Sequence, residues 1–573
     1  MAFPSLARTL IRDRTWSALV DLGVFAVILA AIYAILNTVH YWMGVVTPAA
    51  HISRSPSALP VYAFYSLVRM VVAYVLSLLF AVAYGYFAAY HRRVEAVMVA
   101  VLDILQSIPV LSFLPSVMLA MVSLFPGRQL GVELGSIVLI FTGQVWNMAF
   151  SFYSSLKSIP RELHEAAAIY RFSARQRFFE LELPFGAIGL VWNSIVSMAG
   201  GWFFLMACEM FVLGNHDFRL PGLGSYLQVA AGAGDTRAIL WGLAAMIAVI
   251  VLLDQLVWRP AIAWSEKFKF EQVESAADVS SPILHLLRNS SLIQWLRTRT
   301  AEPLWERCTT CQPDASVPPP KRSRVAAIAG YAIGALIVLA VPYGLVKAAL
   351  MLKDLTRPDL VTTVEAAGAT FLRVAASLAI ASLWTIPAGV AIGFNPRLAK
   401  IAQPLAQIAA SVPATALFPV VLLALVQLGG GLAVGSIVLM LLGTQWYILF
   451  NVIAGAMAIP TELREAAAVF RFSRAQRWRT VILPGIFPYL VTGLVTASGG
   501  AWNASIVAEY FHFQGKILTT FGLGAQISSA TDSGNSNLLF LSTIVMAVLV
   551  VCVNRSVWRP LYRLAETRFR LET

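Results

Sequence analysis

One segment of this chain is written twice. Ile159-Pro160-Arg161-Glu162-Leu163-His164-Glu165-Ala166-Ala167-Ala168 returns at a spacing of 300 residues as Ile459-Pro460-Thr461-Glu462-Leu463-Arg464-Glu465-Ala466-Ala467-Ala468. The same spacing pairs Gly135 with Gly435, Trp146 with Trp446, Pro184 with Pro484, Trp202 with Trp502 and Glu209 with Glu509. Gly222-Leu223-Gly224 and Trp258-Arg259-Pro260 recur as Gly522-Leu523-Gly524 and Trp558-Arg559-Pro560. Upstream the spacing is 304, pairing Arg69 with Arg373, Pro109 with Pro413 and Pro115 with Pro419. Four extra residues in the first copy, between Pro115 and Gly135, account for the step. Whatever this chain folds into is therefore built from two alike halves.

Composition says what kind of halves. Of 573 residues, 58% are hydrophobic and only 12% charged, with a mean hydropathy of +0.74. A soluble chain carries roughly a quarter charged residues. Apolar runs of about 20 residues, enough to cross a hydrocarbon core about 30 Å thick, recur throughout. Such runs are too long for the alternating strands of a barrel of about ten residues each. Lipid leaves no water to satisfy the backbone, so the spans are helices. The chain reads as an all-α polytopic membrane protein.

Six spans are expected per half, near 17–43, 61–90, 98–125, 133–156, 185–213 and 237–263, then near 325–350, 368–393, 401–427, 432–457, 485–511 and 537–558. The domains are a first half (1–264), a linker (265–324) and a second half (325–573). An even number of spans per half makes the repeat parallel, related by a pseudo-two-fold along the membrane normal. With the repeated charged segments in the cytoplasm, Arg8, Arg12, Arg14, Arg92, Arg93, the linker, Arg397, Lys400 and the Arg-rich C-terminus join them there. The other face keeps Arg54, Arg128, Arg219, Arg237, Lys353, Arg357 and Lys516. The positive-inside rule favours this arrangement, with both termini cytoplasmic. The +13 formal charge follows from topology and contact with anionic lipid, and its scatter over short loops argues against nucleic acid. No cleavable signal peptide is expected, because the first apolar run is long enough to span.

In the linker, Ile283, Leu286, Leu287, Ile293, Trp295 and Leu296 alternate with Arg288, Arg297 and Arg299, which suits an interfacial amphipathic helix on a tether. A short soluble subdomain is the alternative. Cys308 and Cys311 form a CxxC without two further ligands for zinc nearby, so unremarkable thiols and no metal site are expected.

Read locally, each repeated segment is two helices and a corner. Pro160 and Pro460 suit a first helical turn. Glu162 and Glu165, with their mates, set acid near a helix N-terminus. The alanine triplet, including Ala166, Ala167, Ala466 and Ala467, leaves a face where another backbone can come close. Ser173-Ala174-Arg175-Gln176 and Ser473-Arg474-Ala475-Gln476 read as capping boxes opening a second helix. Arg171-Phe172 and Arg471-Phe472 form the corner, and Leu183-Pro184 and Leu483-Pro484 mark the return to the membrane.

The Glu-Ala-Ala run, a turn, and a later Leu-Pro resemble the cytoplasmic coupling loop of permease subunits in bacterial binding-protein-dependent ABC importers. The resemblance covers about Arg69 to Pro260 and Arg373 to Pro560. It includes Ser107-Ile108-Pro109 and Ser411-Val412-Pro413, the Trp-containing fifth spans ending at Glu209 and Glu509, and the Gly-Leu-Gly runs. It is greatest to the nitrate/sulfonate/taurine branch. What it implies is a type I importer fold in the bacterial cytoplasmic membrane, and coupling helices held by two copies of a cytoplasmic ATPase subunit that carries ATP and Mg. An extracytoplasmic solute-binding protein would deliver a small anion to outer loops that include 214–236 and 512–536. It also implies coupling roles for Glu165, Ala166, Ala167, Arg171, Ser173, Pro184, Glu465, Ala466, Ala467, Arg471, Ser473 and Pro484. One position departs from the family: glycine usually stands where this chain has Arg171 and Arg471. A different backbone shape is expected at the corner, with the paired arginines reaching toward the ATPase or lipid phosphate.

Polar groups inside spans are costly and usually line a cavity. Candidates for the pathway or its gating are Arg69, Trp146, Asn147, Trp202, Glu209, Arg373, Trp446, Trp502, Asn503 and Glu509, with Asn193, Ser197, Tyr447 and Thr496 beside them. For Arg69 and Arg373, near the outer interface, snorkelling to headgroups stands level with gating or attraction of an anion. For Glu209 and Glu509 the resemblance implies structural or gating use. There is no GxxxxGK[ST] phosphate loop, and His164-Glu165 is not HExxH, so no catalytic site and no cofactor are expected on this chain. An ion-driven carrier of six plus six spans would explain the duplication but not two capped docking corners. A membrane-embedded enzyme lacks a catalytic constellation, and a membrane scaffold stays open.

Overall fold

The computed structural model describes residues 52–91, 94–213, 216–268, 355–427, 431–513 and 516–568, with a few isolated positions elsewhere. Apart from such positions, the expected spans near 17–43 and 325–350, the linker beyond Phe268 and the Cys308/Cys311 pair lie outside the described residues. The first half contains α1 (Leu59–Tyr90), α2 (Glu95–Ser107), α3 (Leu114–Leu124), α4 (Gln129–Lys157), α5 (Arg161–Ile169) and α6 (Ala174–Glu209). A hairpin of β1 (Val212–Leu213) and β2 (His216–Asp217) follows, then α7 (Leu223–Gly232) and α8 (Thr236–Ser265). The second half repeats the order as α9 (Arg357–Phe394), α10 (Pro396–Ser411), α11 (Ala414–Gln427), α12 (Leu432–Ala458), α13 (Thr461–Val469) and α14 (Arg474–Ala508). It ends with the hairpin β3 (Tyr510–Phe513) and β4 (Lys516–Thr519), α15 (Leu523–Asp532) and α16 (Ser536–Ala565).

Eight described helices, of 27 to 38 residues, are long and apolar enough to cross a membrane. At 1.5 Å per residue even the shortest exceeds a core about 30 Å thick. The protein is an all-α, multi-pass membrane protein. The expected spans near 98–125 and 401–427 are not continuous helices. Ile108 and Val412 are extended (ψ 127 and 118), because the ring of the following proline disfavours the helical region for the residue before it. The chain breaks there, passing in the first half through a 3-10 turn at Val110–Phe113.

Proline has a second repeated use. Four π-helical turns, Arg177–Glu182, Asp254–Trp258, Trp478–Ile482 and Asn554–Trp558, each end two residues before a proline: Pro184, Pro260, Pro484 and Pro560. A proline inside a helix removes one donor and pushes its ring at the preceding turn. The wider turn upstream absorbs both effects, so α6, α8, α14 and α16 run on through their prolines.

Within each half the central helix, α4 or α12, lies between the second and fifth of the expected spans, α1 and α6 or α9 and α14. Small residues let them approach. Ser66, Ala73, Ser77, Ala81 and Gly85 line the buried face of α1, and Thr370, Ser377, Ala381, Thr385 and Gly389 line that of α9 in the same register. Among apolar spans in lipid, close backbone packing replaces the hydrophobic drive available in water. Between halves the interrupted third segments are exchanged. The Val110–Phe113 turn packs on α14 and α16, while α11 packs on α6 and α8.

Candidate functional site

The two repeated corners have one geometry. Each first helix follows a proline cap: Pro160 and Pro460 stand just ahead of α5 and α13. At their ends the Phe172 amide donates to the Ala167 carbonyl at 2.9 Å and the Arg171 amide to Ala168 at 3.0 Å. In the second half Phe472 and Arg471 make the same bonds to Ala467 and Ala468, both at 3.0 Å. This pair of bonds is a Schellman motif, which needs a left-handed residue just past the helix. Arg171 (φ 53) and Arg471 (φ 51) supply it, and they are the non-glycine residues of positive φ among those described. The expectation of another backbone shape is corrected: the corner keeps the turn that glycine makes easily, with arginine in it. For an L-residue that conformation costs roughly 1–2 kcal/mol. Capping boxes then start the next helix, Ser173 Oγ and Gln176 Oε1 satisfying each other's backbone amides, as Ser473 and Gln476 do.

Side chains place the corner residues unevenly. Glu165, Glu465, Arg171 and Arg471 are exposed, while Ala167 and Ala467 are buried inside their own corners. Ala166, Ala466 and Ser173 are half-buried, and Ser473 is exposed. Pro184 and Pro484 open the straight part of α6 and α14. Each corner is also tied to the end of its half's first helix, by different means. In the first half buried Glu182 accepts from Tyr90 Oη at 2.6 Å and from Arg177 Nε at 2.8 Å. In the second, the Arg464 guanidinium lies 4.4 Å from the centroid of Phe394. Sequence reasoning missed Glu182, whose mate is Ile482. The signal was an acid with no counterpart in the other copy.

At the other end of the helices lie two ionic clusters, the first buried and the second half-buried at its arginine. Arg69 is 1% exposed and holds Glu133 with two nitrogens, Nη2 donating to Oε1 at 2.8 Å. Its Nη1 donates to Glu209 Oε1 and to the Pro221 carbonyl, both at 2.9 Å. Ser66 Oγ donates to Glu209 Oε1 at 2.6 Å, and Glu209 Oε2 accepts from the Gly224 amide at 2.7 Å. Glu209 is thus the N-terminal cap of α7, an anion on the positive end of a helix. This explains the Gly-Leu-Gly run: a Cβ on Gly222 would lie 2.3 Å from that carboxyl group. The cluster ties α1, α4, α6 and α7 together.

The second half repeats the design with one carboxylate fewer. Arg373 Nη1 donates to Glu509 Oε1 at 2.9 Å and to the Phe521 carbonyl at 2.7 Å, and Nη2 to Thr520 Oγ1 at 3.0 Å. Thr370 takes the place of Ser66, and the Gly524 amide donates to Glu509 Oε2 at 2.9 Å. Ala433 stands where the first half has Glu133. Each arginine is bonded to carboxylate and carbonyl oxygens of the protein. Glu133, missed in sequence reasoning, was legible as a lone acid in an apolar span.

The remaining pathway candidates are dispersed. Trp202 and Trp502 are buried, and Trp146 and Trp446 half-buried. Asn147 Oδ1 accepts from Gln106 Nε2 at 3.0 Å. Asn193 Nδ2 donates to Ser151 Oγ at 3.0 Å and Ser197 Oγ to the Gln144 carbonyl at 2.9 Å. Thr496 Oγ1 donates back to the Thr492 carbonyl of its own helix at 2.9 Å, and Tyr447 is half-buried. Asn503 reaches across the halves, its Oδ1 accepting from the Leu111 amide at 3.5 Å.

Comparison with known proteins sets these features in a family. Residues 57–257 and 385–559 match the model of the binding-protein-dependent transport system inner membrane component. The chain is similar to the bicarbonate transport system permease protein CmpB of Synechococcus elongatus, 30% identical over 32% of this chain and 61% of that protein. It is similar to the nitrate import permease protein NrtB of Leptolyngbya laminosa, 28% identical over 32% of this chain and 63% of that one. The taurine transport system permease protein TauC of Escherichia coli is 29% identical over 32% and 62%. The matches thus span about three fifths of each relative's length. Two copies of one family unit lie within this single polypeptide, and the chain belongs to the family of binding-protein-dependent transport system inner membrane components.

Proposed function

We propose that this chain is a fused permease of an ATP-driven importer, both membrane halves (1–264 and 325–573) joined by the cytoplasmic linker 265–324. The observation that carries the reading is the corner at Glu165–Ser173 and Glu465–Ser473, which has the same Schellman turn and capping box in both halves. Two copies of an ATPase subunit, binding ATP and Mg, grip these corners from the cytoplasm, and a solute-binding protein delivers cargo on the other face. Both termini lie in the cytoplasm, and the membrane is the bacterial inner membrane. Catalysis belongs to the partner subunits. The cargo is a small anion of the bicarbonate, nitrate or sulfonate kind, a class supported by the relatives' names.

The ionic clusters serve such a machine as rigid joints. The first fixes α1, α4 and α6 to the start of α7 and the second fixes α9 and α14 to the start of α15, so a pull on a corner moves a body instead of bending a helix. A ligand or motor can shift a two-state equilibrium only by its difference in affinity for the two states. The test is copurification and uptake. The chain should bring down an ATPase, Glu165→Lys with Glu465→Lys should release it, and solute uptake into vesicles should require ATP. Uptake that persists on a proton or sodium gradient without ATP would assign the chain to secondary carriers.

A further inference from the structure

Glycine could occupy both corners without strain, yet arginine stands at each, at φ 53 and 51. A residue held in that region against its own preference points to a use for the side chain. None of the described residues takes that use up. Both arginines are exposed, and neither guanidinium has a hydrogen bond or ion pair with the described residues. Beside them stand Ile169, Tyr170, Val469 and Phe470, each 74% to 78% exposed. Each corner thus presents a bare apolar pair flanked by a free planar cation. Its complement is an apolar cleft with a carboxylate at the rim, because five N–H donors in a fork match a carboxylate in two-point contact. The same short segment exposes Glu162 and Glu165 in one half and Glu462 and Glu465 in the other. Exposed Arg161 and Arg175, and Arg464 and Arg474, stand in the same segments, so each corner presents both signs together, and a protein cleft can answer both.

Resting on the importer reading above, we propose that Arg171 and Arg471 each hold a carboxylate of the docked ATPase and thereby select which ATPase this permease accepts. The test titrates the purified ATPase that accompanies the wild-type chain against the full chain in phosphatidylcholine nanodiscs. Arg171→Gly with Arg471→Gly should weaken binding about tenfold per site and flatten its salt dependence. The thermal midpoint of the free chain should be retained or raised, since glycine suits the turn. Arg171→Lys with Arg471→Lys keeps the charge and the backbone cost but loses the fork, and should fall between. Glycine variants that bind like wild type would overturn the proposal. A loss seen only in phosphatidylglycerol nanodiscs would also overturn it, by assigning the arginines to lipid phosphate. A wild-type chain that recruits no ATPase would remove the importer reading itself, and this assignment with it.

Discussion

Arg69 is shared between two carboxylates away from water, and that sharing predicts how its neighbours tolerate change. Removing one partner of a buried ion pair leaves an uncompensated charge and costs about 3–5 kcal/mol. Arg69→Met strands both Glu133 and Glu209, so it should lower the thermal midpoint of the detergent-solubilised chain more than any other change in the cluster. Glu133→Ala leaves a one-to-one pair, the arrangement that Arg373 and Glu509 already use beside Ala433. It should be the mildest. Equal midpoints for the two variants would mean that Glu133 is not paired as described. Gly222→Ala tests the same joint from the backbone side. A methyl group 2.3 Å from the Glu209 carboxyl must displace the cap of α7, and such overpacking typically costs about 1–3 kcal/mol.

Short elements carry the local predictions. Ser173 and Ser473 each cap a helix start, so Ser→Ala at either should cost about 1 kcal/mol locally. Hydrogen exchange should report it as faster exchange at 176–180 or 476–480, with the long helices unchanged. On the opposite side of the molecule, burial alone would raise the Asp217 carboxyl. The Arg219 guanidinium and backbone amide bond to it and outweigh that, holding it below the ordinary carboxylate range. A depressed folded value adds stability above the unfolded value of about 3.9. That stability is lost as the pH falls through the folded one. The β1–β2 hairpin should therefore loosen only in strong acid, and Asp217→Asn should remove that dependence, as read by exchange of the 216–220 amides at several pH values. These elements differ in how far the sequence disclosed them. Capping boxes and long apolar helices are local chemistry and were plain, whereas the third segments were expected as whole spans although Pro109 and Pro413 stand inside them. The left-handed arginines and the pairing of Arg69 with Glu133 were not plain. The first is a backbone choice that opposes local preference, and the second joins residues whose partner exists in only one half.

For the whole molecule, the informative feature is that the exchange between halves is not symmetric in its chemistry. On one seam Asn503 accepts from the Leu111 amide, and Thr543 Oγ1 donates to the Ser112 carbonyl at 3.2 Å. At the equivalent seam Phe203 and Leu243 stand in place of Asn503 and Thr543. In the proposed importer, alternation between two states would require the halves to slide at these seams, and packed interfaces switch between discrete arrangements instead of deforming smoothly. A flexible bifunctional thiol reagent joining Ser112→Cys to Thr543→Cys should hold one arrangement. The background must lack Cys208, Cys308, Cys311 and Cys552. Cross-linked chains reconstituted with ATPase and binding protein should lose solute uptake, and uptake should return when a cleavable linker is cut. If uptake continues in material shown to be fully cross-linked, this seam stays closed throughout the cycle. The opening would then lie along the apolar seam, where Phe203 and Leu243 replace the polar pair.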